Sequence, residues 1–184
     1  VKENVPHPRV VAIFTPDEEL GRSCDNLDPK TLGLDYAYSI DGDALGSYND
    51  EGFNAWGATL KVTGVEVHPG SAYGKMEDAA FILAQYVTHL PLSRRPETTR
   101  DDQGYIWCSE MSGNCSAATA SFLLRSFSTE EIEFFKKLMA DECAALARRY
   151  PRAHIEIAFK HHYDNMKSFL PGTLLSDRLV AAME

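Results

Sequence analysis

The chain has 184 residues, 44% hydrophobic and 24% charged, with 18 Lys and Arg against 27 Asp and Glu, a net charge of -9 and a pI near 5.1. That is enough chain for a real globular core, and the acidic balance argues against nucleic acid or an anionic membrane as partner. No apolar run approaches the roughly 20 residues of a membrane span, Val1-Lys2-Glu3-Asn4 has no signal-peptide core, and Cys24, Cys108, Cys115 and Cys143 form no CxxC, as expected of reduced thiols in the cytoplasm.

Val10-Val11-Ala12-Ile13-Phe14 is short, β-branched and closed by Pro16, the pattern of a buried strand. Asp17-Glu18-Glu19 follows where that strand ends. Three adjacent carboxylates repel one another unless a cation lies between them, and ligands collect at strand ends in α/β sheets. The alternative is a helix start, with acidic residues facing the positive end of the dipole. Asp25 to Lys30 is turn-rich, and Tyr36 to Gly42 reads as a second strand ending at Asp41. Asp41 to Gly52 is dense in Gly, Asp, Asn and Ser, a linker.

From Phe53 the pattern changes. Ala58, Leu60 and Val62 alternate with polar residues, the period of a half-buried strand. Met76, Ala79, Ala80, Leu83, Tyr86, Val87 and Leu90 follow helical spacing, and Pro91 ends that helix. Tyr105 to Met111 and Ala118 to Leu124 read as a hairpin around Gly113-Asn114. Ser128 and Glu131 have capping-box spacing before a helix with Ile132, Phe135, Met139, Cys143, Leu146 and Tyr150 on its inner face. Ile155, Ile157 and Phe159 give a last strand, and the tail from Leu174 to Met183 a helix starting near Ser176-Asp177. The order strand, helix, strand, strand, helix, strand predicts an α+β, ferredoxin-like βαββαβ domain.

Seven pieces in order carry a resemblance. They are Phe14 to Gly21 (F-T-P-D-E-E-L-G), Tyr38 to Gly42, Phe53-Asn54-Ala55, Val67 to Met76 with its His68-Pro69-Gly70, Arg95 to Thr99, Leu124 to Phe127, and Tyr163 to Met166. Together they resemble peptidase T, a tripeptide aminopeptidase family among the di-zinc exopeptidases. The resemblance implies a ferredoxin-like dimerisation and lid domain over 49–166. Residues 1–48 are then part of a catalytic α/β domain, and 167–184 begin the return to it.

The resemblance also implies roles. Glu18 is the general base, Glu19 a ligand to one zinc ion and Asp41 a ligand to the other. His68 stabilises an oxyanion in the partner subunit's active site, and Arg125 anchors a substrate carboxylate. From the residues alone, His68 before Pro-Gly reads as a turn residue, and Arg125 as either a solvated strand charge or an anchor. His162-Tyr163-Asp164 has metal-binding H-x-D spacing, but it aligns with the Tyr163 to Met166 piece, so His161 and His162 read as a surface pair. Asp43 and Tyr73 depart from the family pattern.

No suitable H-x-D precedes Phe14, and neither a bridging aspartate nor a C-terminal histidine ligand is evident. One terminal ligand per zinc, without a bridge, does not hold a tight di-zinc pair. The chain therefore reads as the central fragment of a zinc-dependent enzyme that removes the N-terminal residue of tripeptides. Alone it is expected to be inactive and to bind zinc weakly. Short peptides are the expected substrate and a homodimer through the small domain the expected assembly. The alternatives are an isolated dimerisation or peptide-binding module, or a fragment of a related di-zinc carboxypeptidase or deacylase.

Overall fold

The computed structural model describes residues 6–18, 22–41, 44–170 and 174–183. They fall into two units, residues 1–45 and 46–184. In the first, the regular element is a single helical turn, α1 (Pro29–Leu32), capped by the Asp28 carboxylate, which accepts from the Lys30 N–H. Gly33 ends it at φ 61, the left-handed conformation that glycine adopts without strain.

Among the described residues the two strands predicted here do not form, and Gly42, the end of the second, lies outside them. Residues 10–14 and 36–41 lie in irregular backbone, with Phe14 93% exposed and Val10 and Ile40 also exposed. A strand exists only as one side of a ladder, because its N–H and C=O groups need a neighbour. Among the described residues, the sheet belongs wholly to the second unit.

That sheet has four strands: β1 (Asn54–Thr63), β2 (Tyr105–Gly113), β3 (Ala117–Ser126) and β4 (His154–Tyr163), in the order β2-β3-β1-β4 and antiparallel throughout. With helices α2 (Ala79–His89) and α3 (Thr129–Arg149) between them, this is the ferredoxin-like arrangement expected from the hydrophobic periods. A further helix, α4 (Leu174–Met183), follows. No helix among the described residues is long and apolar enough to cross a membrane.

Alternation along the strands sends Leu60, Val62, Ile106, Ala120, Phe122 and Leu124 to one face, where Ile82, Leu83 and Tyr86 of α2 and Ile132, Phe135 and Met139 of α3 meet them. Burying an aliphatic or aromatic side chain of this size contributes about 1.5–3 kcal/mol. Tyr86 is buried whole, its ring 5.8 Å from that of Phe122 and its hydroxyl donating to the Met139 carbonyl at 2.8 Å.

The start of α2 differs from its apolar stripe. Met76 lies in a turn, and Asp78 caps the helix by accepting from the Phe81 N–H. Glu77 between them is spent on other bonds. Its backbone bridges to Val65, and its buried carboxylate accepts from the Arg152 and Ala153 N–H groups (3.0 and 2.7 Å) and from Arg152 Nε at 3.1 Å.

At α3 the box is half as predicted. Ser128 accepts from the Glu131 N–H. Glu131 does not reach back to Ser128. It takes the Ser126 hydroxyl at 2.7 Å and the Arg94 guanidinium at 3.0 Å, while the Ser128 N–H donates to Ser126 Oγ.

Candidate functional site

The acidic candidates lie in the first unit. Asp17 takes a φ of 60, which turns the backbone sharply, and its carbonyl accepts from the Arg22 N–H at 3.1 Å. Glu18 and Asp41 are both exposed, whereas Glu19 lies outside the described residues. No group of three or more His, Cys, Asp or Glu side chains among the described residues is placed to hold a metal ion. A zinc ion needs four donors. The described residues therefore do not by themselves make up a zinc site.

His68 sits in an exposed turn of the second unit. Pro69–Ser71 form one turn of 3-10 helix, the His68 carbonyl accepts from Ser71 N and Oγ, and His68 Nδ1 accepts from the Gly70 N–H at 3.1 Å. The ring thus shapes the turn that it opens, with Nε2 as its far corner.

Arg125 is half-buried on the sheet face opposite the helices, between the buried Leu124 and Ser126. The strand register sets Tyr105, Arg125, Ala55 and Tyr163 side by side, one from each strand. Arg125 Nη1 donates to the Leu124 carbonyl at 2.9 Å and the Trp56 carbonyl at 3.4 Å, and its guanidinium carbon stands 5.7 Å from the centre of the Tyr163 ring. Among the described residues no carboxylate pairs with it. A guanidinium steadied by carbonyls and an aromatic face, with donors left over, suits a planar carboxylate.

His162 belongs to the same corner. Its Nε2 is 3.0 Å from where a Cβ on Gly57 would stand. Desolvation there, followed by the positive charges of Arg125, Lys160 and His161, pushes its imidazole below the usual histidine value, toward the neutral form. His161 and His162 are both exposed, as expected of a surface pair, but their surroundings differ. His161 pairs with Asp164 at 2.8 Å and packs its ring on Trp56, while His162 faces Arg125's charge.

Two asparagines of the matched pieces, without a role in the sequence reading, are buried together. Asn54 Nδ2 donates to the Ser126 and Phe127 carbonyls at 3.1 and 3.2 Å, and its Oδ1 accepts from the Asn165 N–H at 2.9 Å. Asn165 Oδ1 in turn accepts from the Gly52 and Lys167 N–H groups at 3.1 and 3.0 Å. The clasp ties the segment that leads into β1 to the segment that leaves β4. The only hint of it in the sequence was the presence of asparagine in both pieces.

Comparison with known proteins agrees with this architecture. The model of the peptidase dimerisation domain (M20 type) matches residues 51–151. The chain is 32% identical to a peptidase T of Desulfitobacterium hafniense over 181 residues, 98% of this chain and 44% of the relative. It is 36% identical to a peptidase T of Clostridium acetobutylicum over 163 residues, 89% and 40%. The chain thus spans less than half the length of these relatives. In structure it is similar to an aminopeptidase PepT of Bacillus cereus, with a TM-score of 0.71 at 20% identity, covering 89% of this chain and 44% of that one. A tripeptidase of Staphylococcus aureus gives a TM-score of 0.68 at 19% identity, covering 82% and 41%. With more than half of its residues matched by that one model, and with the sheet order and helices just described, the chain belongs to the peptidase dimerisation domain family.

Proposed function

We propose that this chain is the central part of a zinc-dependent aminopeptidase that releases the N-terminal residue of tripeptides. The observation that carries the reading is the match to proteins named peptidase T along 98% of this chain but only 44% of theirs. Residues 49–166 act as dimerisation and lid domain, residues 1–48 belong to the catalytic domain, and 167–184 lead back to it. Glu18 serves as general base, Glu19 and Asp41 each bind one zinc ion, His68 donates to the oxyanion across a homodimer, and Arg125 holds the peptide carboxylate.

Two carboxylates are too few for a di-zinc pair, so the remaining ligands come from polypeptide outside these 184 residues. The enzyme works in the cytoplasm. A second reading, a dimerisation module without turnover, is favoured by the family model itself, which covers the small domain alone.

The test exchanges the matching segment of the Desulfitobacterium hafniense peptidase T for this chain and assays tripeptide hydrolysis with zinc. Turnover is expected, and loss of it in Glu18→Gln. A folded, dimeric chimera that cleaves nothing selects the module. Tripeptide cleavage by the 184-residue chain on its own overturns the reading of an incomplete site.

A further inference from the structure

We propose that Gly70 is a positioning residue that fixes the tautomer and tilt of the His68 ring, so that neutral His68 presents Nε2–H as a ready hydrogen-bond donor. This rests on the reading above for what the donor is used for, but not for its geometry. A backbone N–H can only donate, so the 3.1 Å contact from Gly70 N makes His68 Nδ1 the acceptor. In a neutral imidazole the proton is then on Nε2. Nε2 is the far corner of an exposed ring and has no intramolecular partner among the described residues.

A second observation, independent of that bond, concerns space. Gly70 has no positive φ that would call for glycine. A Cβ there would stand 3.2 Å from both Cε1 and Nδ1 of His68, closer than side chains normally approach. The glycine makes room for the imidazole to lie over its own donor. Pro69 starts the 3-10 turn, and Ser71 N and Oγ hold the His68 carbonyl, so the backbone that carries the ring is itself held in the turn.

The consequence is a donor that needs no protonation step. A flexible histidine divides its proton between two nitrogens and must lose rotational freedom to reach a developing oxyanion, whereas a preorganised one does not.

Nitrogen NMR of the 184-residue chain at about pH 8.5, well above the ordinary imidazole range, tests the geometry without any activity. Expected are an unprotonated Nδ1, a protonated Nε2, and a shift of the Nδ1 signal toward a tautomer mixture in Gly70→Ala. A protonated Nδ1, or a spectrum untouched by Gly70→Ala, overturns the proposal.

The chimera then tests the use of the donor. His68→Asn keeps an acceptor for the Gly70 N–H, as in an Asx-turn, but its amide N–H stops short of the Nε2 position. Its kcat is expected to fall about 100-fold, the usual loss of one oxyanion donor. Unchanged kcat in His68→Asn, with the expected spectrum intact, refutes the role of His68 in the reaction and leaves the tautomer assignment standing.

Discussion

The Asn54–Asn165 clasp makes a prediction with a built-in asymmetry. The two side chains are chemically identical, yet they use opposite ends. Asn54 is 4% exposed and spends its amide nitrogen on two carbonyls, whereas Asn165 spends chiefly its oxygen, on two N–H groups. Exchange to aspartate keeps the shape and replaces nitrogen by oxygen. At position 54 this removes two hydrogen bonds, about 1 kcal/mol each, and sets a carboxyl oxygen against two carbonyl oxygens away from water, at least about 2 kcal/mol more. Asn54→Asp is therefore expected to lose about 4 kcal/mol, a large part of a typical domain's 5–15. At position 165 both N–H groups keep an acceptor, now a charged one. Only the 3.4 Å bond from Nδ2 to the Phe127 carbonyl is lost, so the cost is about 1 kcal/mol or less. Urea unfolding at neutral pH, followed by the fluorescence of Trp56 and Trp107, measures both on one scale. Equal losses, or a greater one for Asn165→Asp, would refute the assigned amide orientations and the clasp with them.

Two further predictions concern charge. The His162 imidazole is expected to titrate below 6.5, and Arg125→Ala to move its midpoint upward in a proton NMR titration. Because the folded value is the lower one, the unfolded chain takes up this proton first, so the histidine's contribution is present above about 6.5 and is lost as pH falls from there through the lower folded value. A midpoint above that value, or one indifferent to Arg125→Ala, contradicts the described corner. Glu77→Ala strips acceptors from two backbone N–H groups and from Arg152 Nε, and is expected to lower the unfolding free energy by about 3 kcal/mol. A loss under about 1 kcal/mol in urea would mean that water replaces the carboxylate there.

What could be read from the sequence follows from how far each signal reaches along the chain. The second unit's strands and helices were legible because Leu60, Val62 or Ile132, Phe135, Met139 state their period within a few residues, and because Ser128 and Pro91 mark ends locally. The strands read at Val10 to Phe14 and Tyr36 to Gly42 have equally good local patterns, yet the described parts of both remain irregular, since a ladder depends on a neighbour that no local pattern supplies. The His68-Pro69-Gly70 turn is local and was recognisable, although its glycine answers to the ring rather than to the backbone.

The Arg125 corner shows the opposite limit. Ile155, Ile157 and Phe159 alternate toward the helices, and the same count carried forward puts Tyr163 among them. The pairing instead steps at the bulge: His161 stands opposite Trp56, but Tyr163 stands opposite Ala55, so one extra residue in β4 moves the tyrosine to the other face, under the guanidinium. A bulge re-aims a side chain at a single point and leaves the hydrophobic period before it untouched. Deleting His162 should therefore restore the simple alternation while Tyr163, now next after His161, stays opposite Ala55 and on the Arg125 face. Survival of the Tyr163-dependent upfield shifts of the Arg125 side-chain protons would report it, and their loss would show that the extra residue itself sets the ring under the guanidinium.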